Sequence, residues 1–565
     1  MEPTDATLVP SRLSLLVATG VGLPTLFACL DHPLKPVEYD AAQEKQDSIA
    51  LTVNKDVDIL FVIDNSGSMG EEQGTLASNF ASFINVLERD GVKANYRIGV
   101  TTSDNSNPWC PGTTPEAGQL RLTSCRSRQT EFVFSGAQMV DATQEACLDV
   151  CKYDSIEIVD TTTDLDDTPS PRLWLESIEG RTNIGSGVCT AGETCDEGPT
   201  TVEAFQCFGP QGINGCGFEQ QLESMYKALK RAENADEAIY GFVRANAILS
   251  IVHVTDEADC SYNKEQETIF LPDDDRTFWS LPDESTPSSA LCWNAGVACS
   301  GGDCSSANKD PLGGDTSAGD AVMRPVSRYI DLVQKIESDK QLISPNQEVL
   351  VALIAGVGAD GSVTYQDSVD PSFQDDFGIG PGCTSTAGEA VPPVRLKEFA
   401  DAFKLGDAQN MFSICDSDYS AALEAIAAAI ADQVRPACMP ACVADTDEVS
   451  EILDPSCILK QEEPQKDGSI VSTNIPQCDG DNDFPNDEIN VCYIARVDGA
   501  ANVENERTFL NDDEGDDMSE FCFEEGWNLE FELNRRSGFP AAGGTSVKAT
   551  CELSQNKQID CPTLD

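Results

Sequence analysis

Histidine is nearly absent from this chain: its 565 residues contain two, His32 and His253. A Ser-His-Asp triad would need one of them. His32 falls in a polar stretch near the N-terminus, and His253 sits inside an apolar strand-like run where a buried structural role is the simpler reading. There is no H-E-x-x-H, no phosphate-cradling glycine loop and no dinucleotide fingerprint. Ser66-Gly67-Ser68-Met69-Gly70 falls one residue short of a G-x-S-x-G nucleophile elbow, because serine stands where the first glycine belongs. Basic residues are also scarce. Thirty-six Lys and Arg face 97 Asp and Glu, for a net charge of −61. Nucleic acid, whose phosphates need cations, is therefore a poor partner, and so are anionic membrane surfaces and acidic polymers. Acid abundance alone is compatible with a carboxylate glycosidase, but no pattern here specifies one. The balance favours binding over catalysis.

Long apolar runs are missing except at the start. Residues 13–28 form one, preceded by Arg12 and broken by glycines and Pro24, too short and interrupted for a membrane span. It ends at Leu26-Phe27-Ala28-Cys29, which resembles the bacterial lipobox. The resemblance implies a lipoprotein signal peptide over 1–28, lipidation of Cys29 and a polar tether over 29–55. Leu30, where Asp would signal inner-membrane retention, favours the outer membrane or cell surface. Cysteine usage fits export. Of 23 cysteines, 22 remain once Cys29 is set aside, and they divide evenly: eight in 110–216, four in 260–304, two in 383–415 and eight in 438–561. No paired C-x-x-C units occur, and with two histidines zinc is disfavoured. The counts predict disulfides closed within each region, in an oxidising compartment.

From residue 56 onward, buried-strand patterns alternate with amphipathic helices. Strand patterns occur at 57–63, 96–101, 247–254, 349–355 and 411–414. Helical spacing links Leu76, Phe80, Phe83 and Leu87; Leu222, Met225, Tyr226 and Leu229; Val322, Val326, Tyr329, Ile330 and Val333; and Leu423, Ile426, Ile430 and Val434. Continuous apolar strands between such helices predict a doubly wound, mostly parallel α/β sheet over 56–435. Two Cys-, Gly- and Asp-rich stretches, 104–214 and 258–318, read as insertions stabilised by their cysteines. Residues 436–565, with alternation at 528–533 and 546–551, predict a small cysteine-rich β module.

The chemistry concentrates in Asp64-Asn65-Ser66-Gly67-Ser68, where a buried strand empties into a carboxylate and two hydroxyls at alternate positions. Hard divalent cations take such oxygens, and open α/β sheets place ligands at strand ends. These residues resemble the metal-ion-dependent adhesion site of the von Willebrand factor A family, D-x-S-x-S after the first strand. Val254-Thr255-Asp256-Glu257 stands where that family has T-D-G, so Asp256 matches while Glu257 replaces glycine. The family's remaining ligand, a loop threonine before a helix, has two candidates: Glu219 at the helix start and Thr182 farther upstream. The resemblance covers 56–103, 217–257, 319–357 and 395–434, and it is similar to cysteine-rich bacterial lipoproteins carrying this domain.

What the resemblance implies is a lipid-anchored extracytoplasmic binding protein. It would hold Mg²⁺, with Ca²⁺ or Mn²⁺ as alternatives, at a metal site of Asp64, Ser66, Ser68 and Asp256, the first three holding the ion and Asp256 orienting its waters, and take an acidic group of a protein partner to complete the shell. A structural or assembly role in the envelope with a vestigial ion is the alternative, and hydrolysis by the insertions a weaker one. Elsewhere, Asp479-Gly480-Asp481-Asn482-Asp483 is oxygen-rich but lacks the EF-hand Gly and Glu positions. Asp259 reads as a water-mediated ion contact or a loop cap, and Asp273-Asp274-Asp275 as solvated surface.

Overall fold

The computed structural model describes residues 48–561 except 52–54, 90–91, 136–138, 179, 191–194, 196–197, 274–275, 343–346, 387, 405, 407, 435–436, 447–452, 465–469, 481–482, 498–517, 520–521, 524 and 537–545. The signal-peptide and lipidation readings (1–28, Cys29) and His32 lie outside the described residues, as do Asp274, Asp275, Asp481 and Asn482.

The scaffold is a seven-stranded sheet. Its strands, in chain order, are β1 (Asp56–Ile63), β2 (Asn95–Thr102), β3 (Leu175–Ile178), β4 (Arg181–Thr182), β5 (Ile248–Val254), β6 (Leu350–Ala355) and β7 (Met411–Ser413). They lie in the order β4-β3-β2-β1-β5-β6-β7. The five strands from β2 to β7 are mutually parallel; β3 and β4 join antiparallel at the β2 edge. Helices cover both faces, which is why these strands read as unbroken apolar runs. On one face Val57, Ile59, Phe61 and Ile63 of β1 join α1 (Gly70–Glu88), α2 (Thr201–Phe208) and α6 (Ser420–Ala431) through Phe80, Phe83, Phe205, Leu423 and Ile426. On the other, Leu60 and Val62 meet α3 (Gln221–Ala232), α4 (Ser327–Gln341) and α5 (Val394–Asp401) through Leu222, Met225, Val333, Leu396 and Phe399. The chain crosses to opposite faces on leaving β1 and on entering β5, so the carboxyl ends of these neighbours form a switch point, where such sheets bind ligands.

Several expectations shift. Residues 104–214 are more than an external insertion. They supply β3, β4 and α2, and Phe205 of α2 stacks 3.5 Å from Phe80 in the core. Val322 belongs to the apolar cluster of the second insertion instead of helix α4. Within the expected tether, Ser48–Leu51 forms a strand paired antiparallel with Ser546–Cys551, inside a four-stranded sheet of the C-terminal region. The C-terminal module is indeed β-rich, with a second sheet of Ala437–Cys438, Glu530–Arg535 and Val491–Arg496. It meets the base of the main sheet: Lys93, just before β2, lies 3.6 Å from Glu532, and Lys55, just before β1, feels Glu532 and Glu530.

Disulfides follow the regional counts. Cys110–Cys216, Cys125–Cys147, Cys151–Cys207 and Cys189–Cys195 close the first insertion. Cys260–Cys292 and Cys299–Cys304 close the second, and Cys383–Cys415 follows. Cys438–Cys522, Cys442–Cys561, Cys457–Cys551 and Cys478–Cys492 close the module. Among the described residues every cysteine is paired, which indicates an oxidising, extracytoplasmic environment. Among the described residues, no helix is long and apolar enough to cross a membrane.

His253 is fully buried in β5, its ring edge-on to Phe399 at 6.0 Å, and neither ring nitrogen has a hydrogen-bond partner. Burial pulls its pKa down to about 3. The unfolded chain therefore takes up a proton near pH 6.5 that the folded chain refuses, and stability present above pH 6.5 is lost as pH falls toward 3. The loss is on the order of 5 kcal/mol at its limit. His253→Leu should move the acid-unfolding midpoint to lower pH, with less than about 1.5 kcal/mol change at neutral pH. Circular dichroism across an acid titration checks this; an unchanged midpoint would refute it.

Candidate metal centre

Three loops meet at the carboxyl ends of β1 and β5. The first, 64–68, leaves β1 with its direction held by the Asp64 N–H bonding to the Val254 carbonyl at 2.9 Å. Asp64 is fully buried, and its carboxylate is used on both sides. Oδ1 accepts the Ser66 N–H at 2.9 Å and the Ser103 hydroxyl at 3.3 Å, while Oδ2 accepts the Thr255 hydroxyl at 2.6 Å. Thr255 in turn accepts from the Gln221 amide at 2.8 Å. One carboxylate thus ties β1, β2, β5 and the start of α3 together. The hydroxyls of Ser66 and Ser68 lie 3.2 Å apart. Ser66 is buried, and Ser68 is exposed at the mouth.

The second loop carries Asp256, whose carboxyl group lies beside Ser68 and keeps Oδ1 buried without a partner. Its backbone carbonyl is fixed by the Val391 N–H at 2.7 Å. The third loop runs through Gly215 to Glu219. Gly215 donates to the Asn65 carbonyl at 2.8 Å, and a Cβ there would fall 2.3 Å from the Asn65 side chain, so glycine is what lets the two loops touch. Glu219 is 1% exposed, with Oε1 unpartnered. The first insertion covers this corner: the Phe134 ring would meet a Cβ on Gly67 at 2.7 Å, and Gln73 of α1 bridges the Asp64 and Gly212 carbonyls at 2.8 Å each.

The electrostatics are those of acids gathered without a counter-charge. Burial, then the neighbouring Glu257, Asp64 and Asp256, hold the Glu219 carboxyl well above its usual range. Asp256 is raised by burial, Asp64 and Glu72; Glu257 by burial, Asp256, Asp64 and Asp376. Asp64 is raised by burial against its three hydrogen bonds. Glu72, on the first turn of α1, is pushed up to about 7, chiefly by burial. Among the described residues, none of these five pairs with Lys or Arg. No three His, Cys, Asp or Glu side chains among them have converged to metal-ligating distance. The donor set nonetheless suits a hard divalent ion: two adjacent hydroxyls beside carboxylates, with buried acceptor atoms on Asp256 and Glu219 that nothing else satisfies.

The structure therefore brings Asp64, Ser66, Ser68, Asp256 and Glu219 together, and leaves Thr182 out. Thr182 is exposed on β4 and pairs with Ser177, which pairs with Tyr96 near the start of β2. That is some six residues, or roughly 20 Å, from the loop end of the sheet. Its local Arg-Thr-Asn context looked right, but the position is an edge strand. Asp259 is a cap, not an ion contact: it accepts the Leu222 N–H at 3.1 Å and pairs with Arg395 at 2.9 Å. Asp479 sits in a turn closed by its own N–H to the Asp483 carbonyl at 2.9 Å. Sequence reasoning missed Ser103, Thr255, Gln221 and Glu72. Thr255 beside Asp256 was the one with a local signal.

No family model matches the chain, and no curated protein matches it. Among solved structures it is similar to the pilus adhesin SpaC from Lactobacillus rhamnosus GG in an open conformation, at 9% identity and a TM-score of 0.27. The match covers 90% of this chain and 42% of the adhesin, so the chain spans less than half of that protein. A likeness this weak equates neither folds nor functions.

The raised carboxyls give a metal-linked pH dependence. The folded, ion-free state keeps protons that the unfolded chain releases near pH 4, so its stability falls as pH rises from about 4 through about 7. A divalent ion bound among them would remove that penalty. The gain in Tm on adding 5 mM-scale divalent salt over chelator should therefore grow between pH 5 and pH 8, by several degrees, and shrink in Asp256→Asn. Differential scanning calorimetry with both additions checks it; a gain that is flat with pH would contradict the assignment.

Proposed function

We propose that this chain is an extracytoplasmic binding protein of the von Willebrand factor A type, lipid-anchored through Cys29, that engages its partner through a bound divalent cation. The observation carrying this reading is the Ser66–Ser68 hydroxyl pair, 3.2 Å apart, opening to solvent at Ser68 above the buried unpartnered Asp256 oxygen. Ser66, Ser68 and Asp256 would hold the ion. Asp64, whose oxygens are already engaged, would orient the loop and the ion's waters. The ion supplies a Lewis-acidic position facing solvent, which an oxygen from a partner's Asp, Glu or C-terminal carboxylate can fill. The disulfide-closed insertions support selectivity, because Phe134 of the first lies on Gly67 and Cys260 of the second follows the Asp256 loop.

The sheet order and the faces covered by helices support the family assignment, as does the strand-end position of D-x-S-x-S. Catalysis has less support. His253 is sealed in the core, and among the described residues no base is seen beside Ser66 or Ser68 apart from the acids that would serve the ion.

Capture from envelope extracts on the immobilised protein, run in parallel with Mg²⁺, Ca²⁺ and chelator, tests the reading. A partner should be retained with divalent ion, released by chelator and reduced about tenfold or more in Ser68→Ala, whose Tm in chelator should stay unchanged. Retention of the same partner in excess chelator would overturn it.

A further inference from the structure

Resting on the divalent site just proposed, we propose that Glu219 is a direct ligand of the ion and makes the centre selective for calcium. The family pattern has a neutral hydroxyl at this place, and the structural reasons that usually keep a glutamate at a helix start are already met by other groups. Asp259 accepts the Leu222 N–H at 3.1 Å and Ser261 accepts the Glu223 N–H at 3.0 Å, so the first turn of α3 is capped without Glu219. Arg395, which pairs with the capping Asp259 at 2.9 Å, also donates to the Arg324 carbonyl. Glu219 is left 1% exposed with Oε1 unpartnered, facing Glu257, Asp64 and Asp256.

Its backbone is held in place. Its carbonyl accepts the Cys260 N–H at 2.6 Å, the following Gln220 N–H bonds to the Ser103 carbonyl at 2.9 Å, and Cys216 is tied to Cys110. The Asp256 loop is clamped on its far side by Cys260–Cys292. A buried acid fixed against other acids, with an empty acceptor atom, is a ligand position waiting for a cation. Two hydroxyls and the carboxylates of Asp256 and Glu219, with Glu257 beside them, form an oxygen set rich in charge. Calcium takes six to eight oxygens in flexible geometry and is favoured by added carboxylates. Magnesium prefers one or two carboxylates and retained waters in a strict octahedron. The sequence expectation of Mg²⁺ follows from the hydroxyl motif alone; Glu219 shifts the choice.

Isothermal titration of the purified protein with CaCl₂ or MgCl₂ alone, at fixed pH and salt, reads this directly. Calcium should bind about tenfold or more tightly than magnesium. Glu219→Gln, which keeps shape, should lose about tenfold in calcium affinity with magnesium changed by less than about threefold. Glu219→Thr should reverse the preference toward magnesium. In chelator, Tm of Glu219→Gln should equal or exceed that of the parent, since a buried acid among other acids, costly to bury in either protonation state, is removed; a purely structural role would lower it. Magnesium binding as tightly as calcium, or calcium binding indifferent to both substitutions, overturns the inference while leaving the ion site standing. Failure of both ions to bind the parent chain overturns the site itself.

Discussion

A carboxylate with no solvent exposure can sit at the end of a central strand only if every lone pair it turns inward finds a donor. Asp64 meets that condition through Ser66, Ser103 and Thr255, and those donors come from three separate segments of chain. The consequence is geometric. The loops after β1, β2 and β5 have one mutual arrangement in which Asp64 is satisfied, and Gln221, by donating to Thr255, extends the same constraint to α3. The serine hydroxyls and Asp256 are positioned as by-products of this bond network. Their own side chains need few further contacts to stay in place.

Around that knot the chain is long and loop-rich, and the entropy of ordering such loops has to be limited by something other than the sheet. The disulfides do this locally. Cys110–Cys216 fastens the loop following β2 to the segment three residues before Glu219, and Cys260–Cys292 fastens the segment just after Asp256. Between them lies an apolar cluster of Phe218, Tyr262, Phe270, Trp279 and Leu291, a small second core beneath the insertion. The two cystines therefore bracket the acids. An oxidising compartment is thus a condition for the site's geometry as well as for the fold.

The five parallel strands were legible because both of their faces are buried, leaving unbroken apolar runs such as 247–254. β3 and β4 were not. They are four and two residues long, and β3 contains Glu176, whose buried charge is matched by Arg97 across the register at 3.1 Å. A charge satisfied by a residue 79 positions away leaves no local pattern. The strand at Ser48–Leu51 escaped for the same reason, since its partner lies some 500 residues downstream. At the site, Asp64, Ser66, Ser68 and Asp256 could be read because each sits directly after a strand. The choice between Glu219 and Thr182 could not be read, because it depends on which loop returns to the carboxyl ends and which runs along the edge.

The placement of the C-terminal module bears on how the site meets a partner. The module contacts the base of the sheet through Lys93 and Glu532, at the amino ends of β1 and β2, whereas the acids gather at the carboxyl ends. Ser48–Leu51 is a strand of that module. Charge then sets what that partner can be. Against a net charge of −61, an acidic partner approaches uphill until it is within reach of the ion, where solvent is excluded and the field is local. Each carboxylate the protein itself contributes weakens that last attraction. Asp256 and Glu219 together would neutralise a divalent ion, so affinity for a partner's carboxylate would have to come largely from coordination and from contacts with the insertions, with little help from long-range steering.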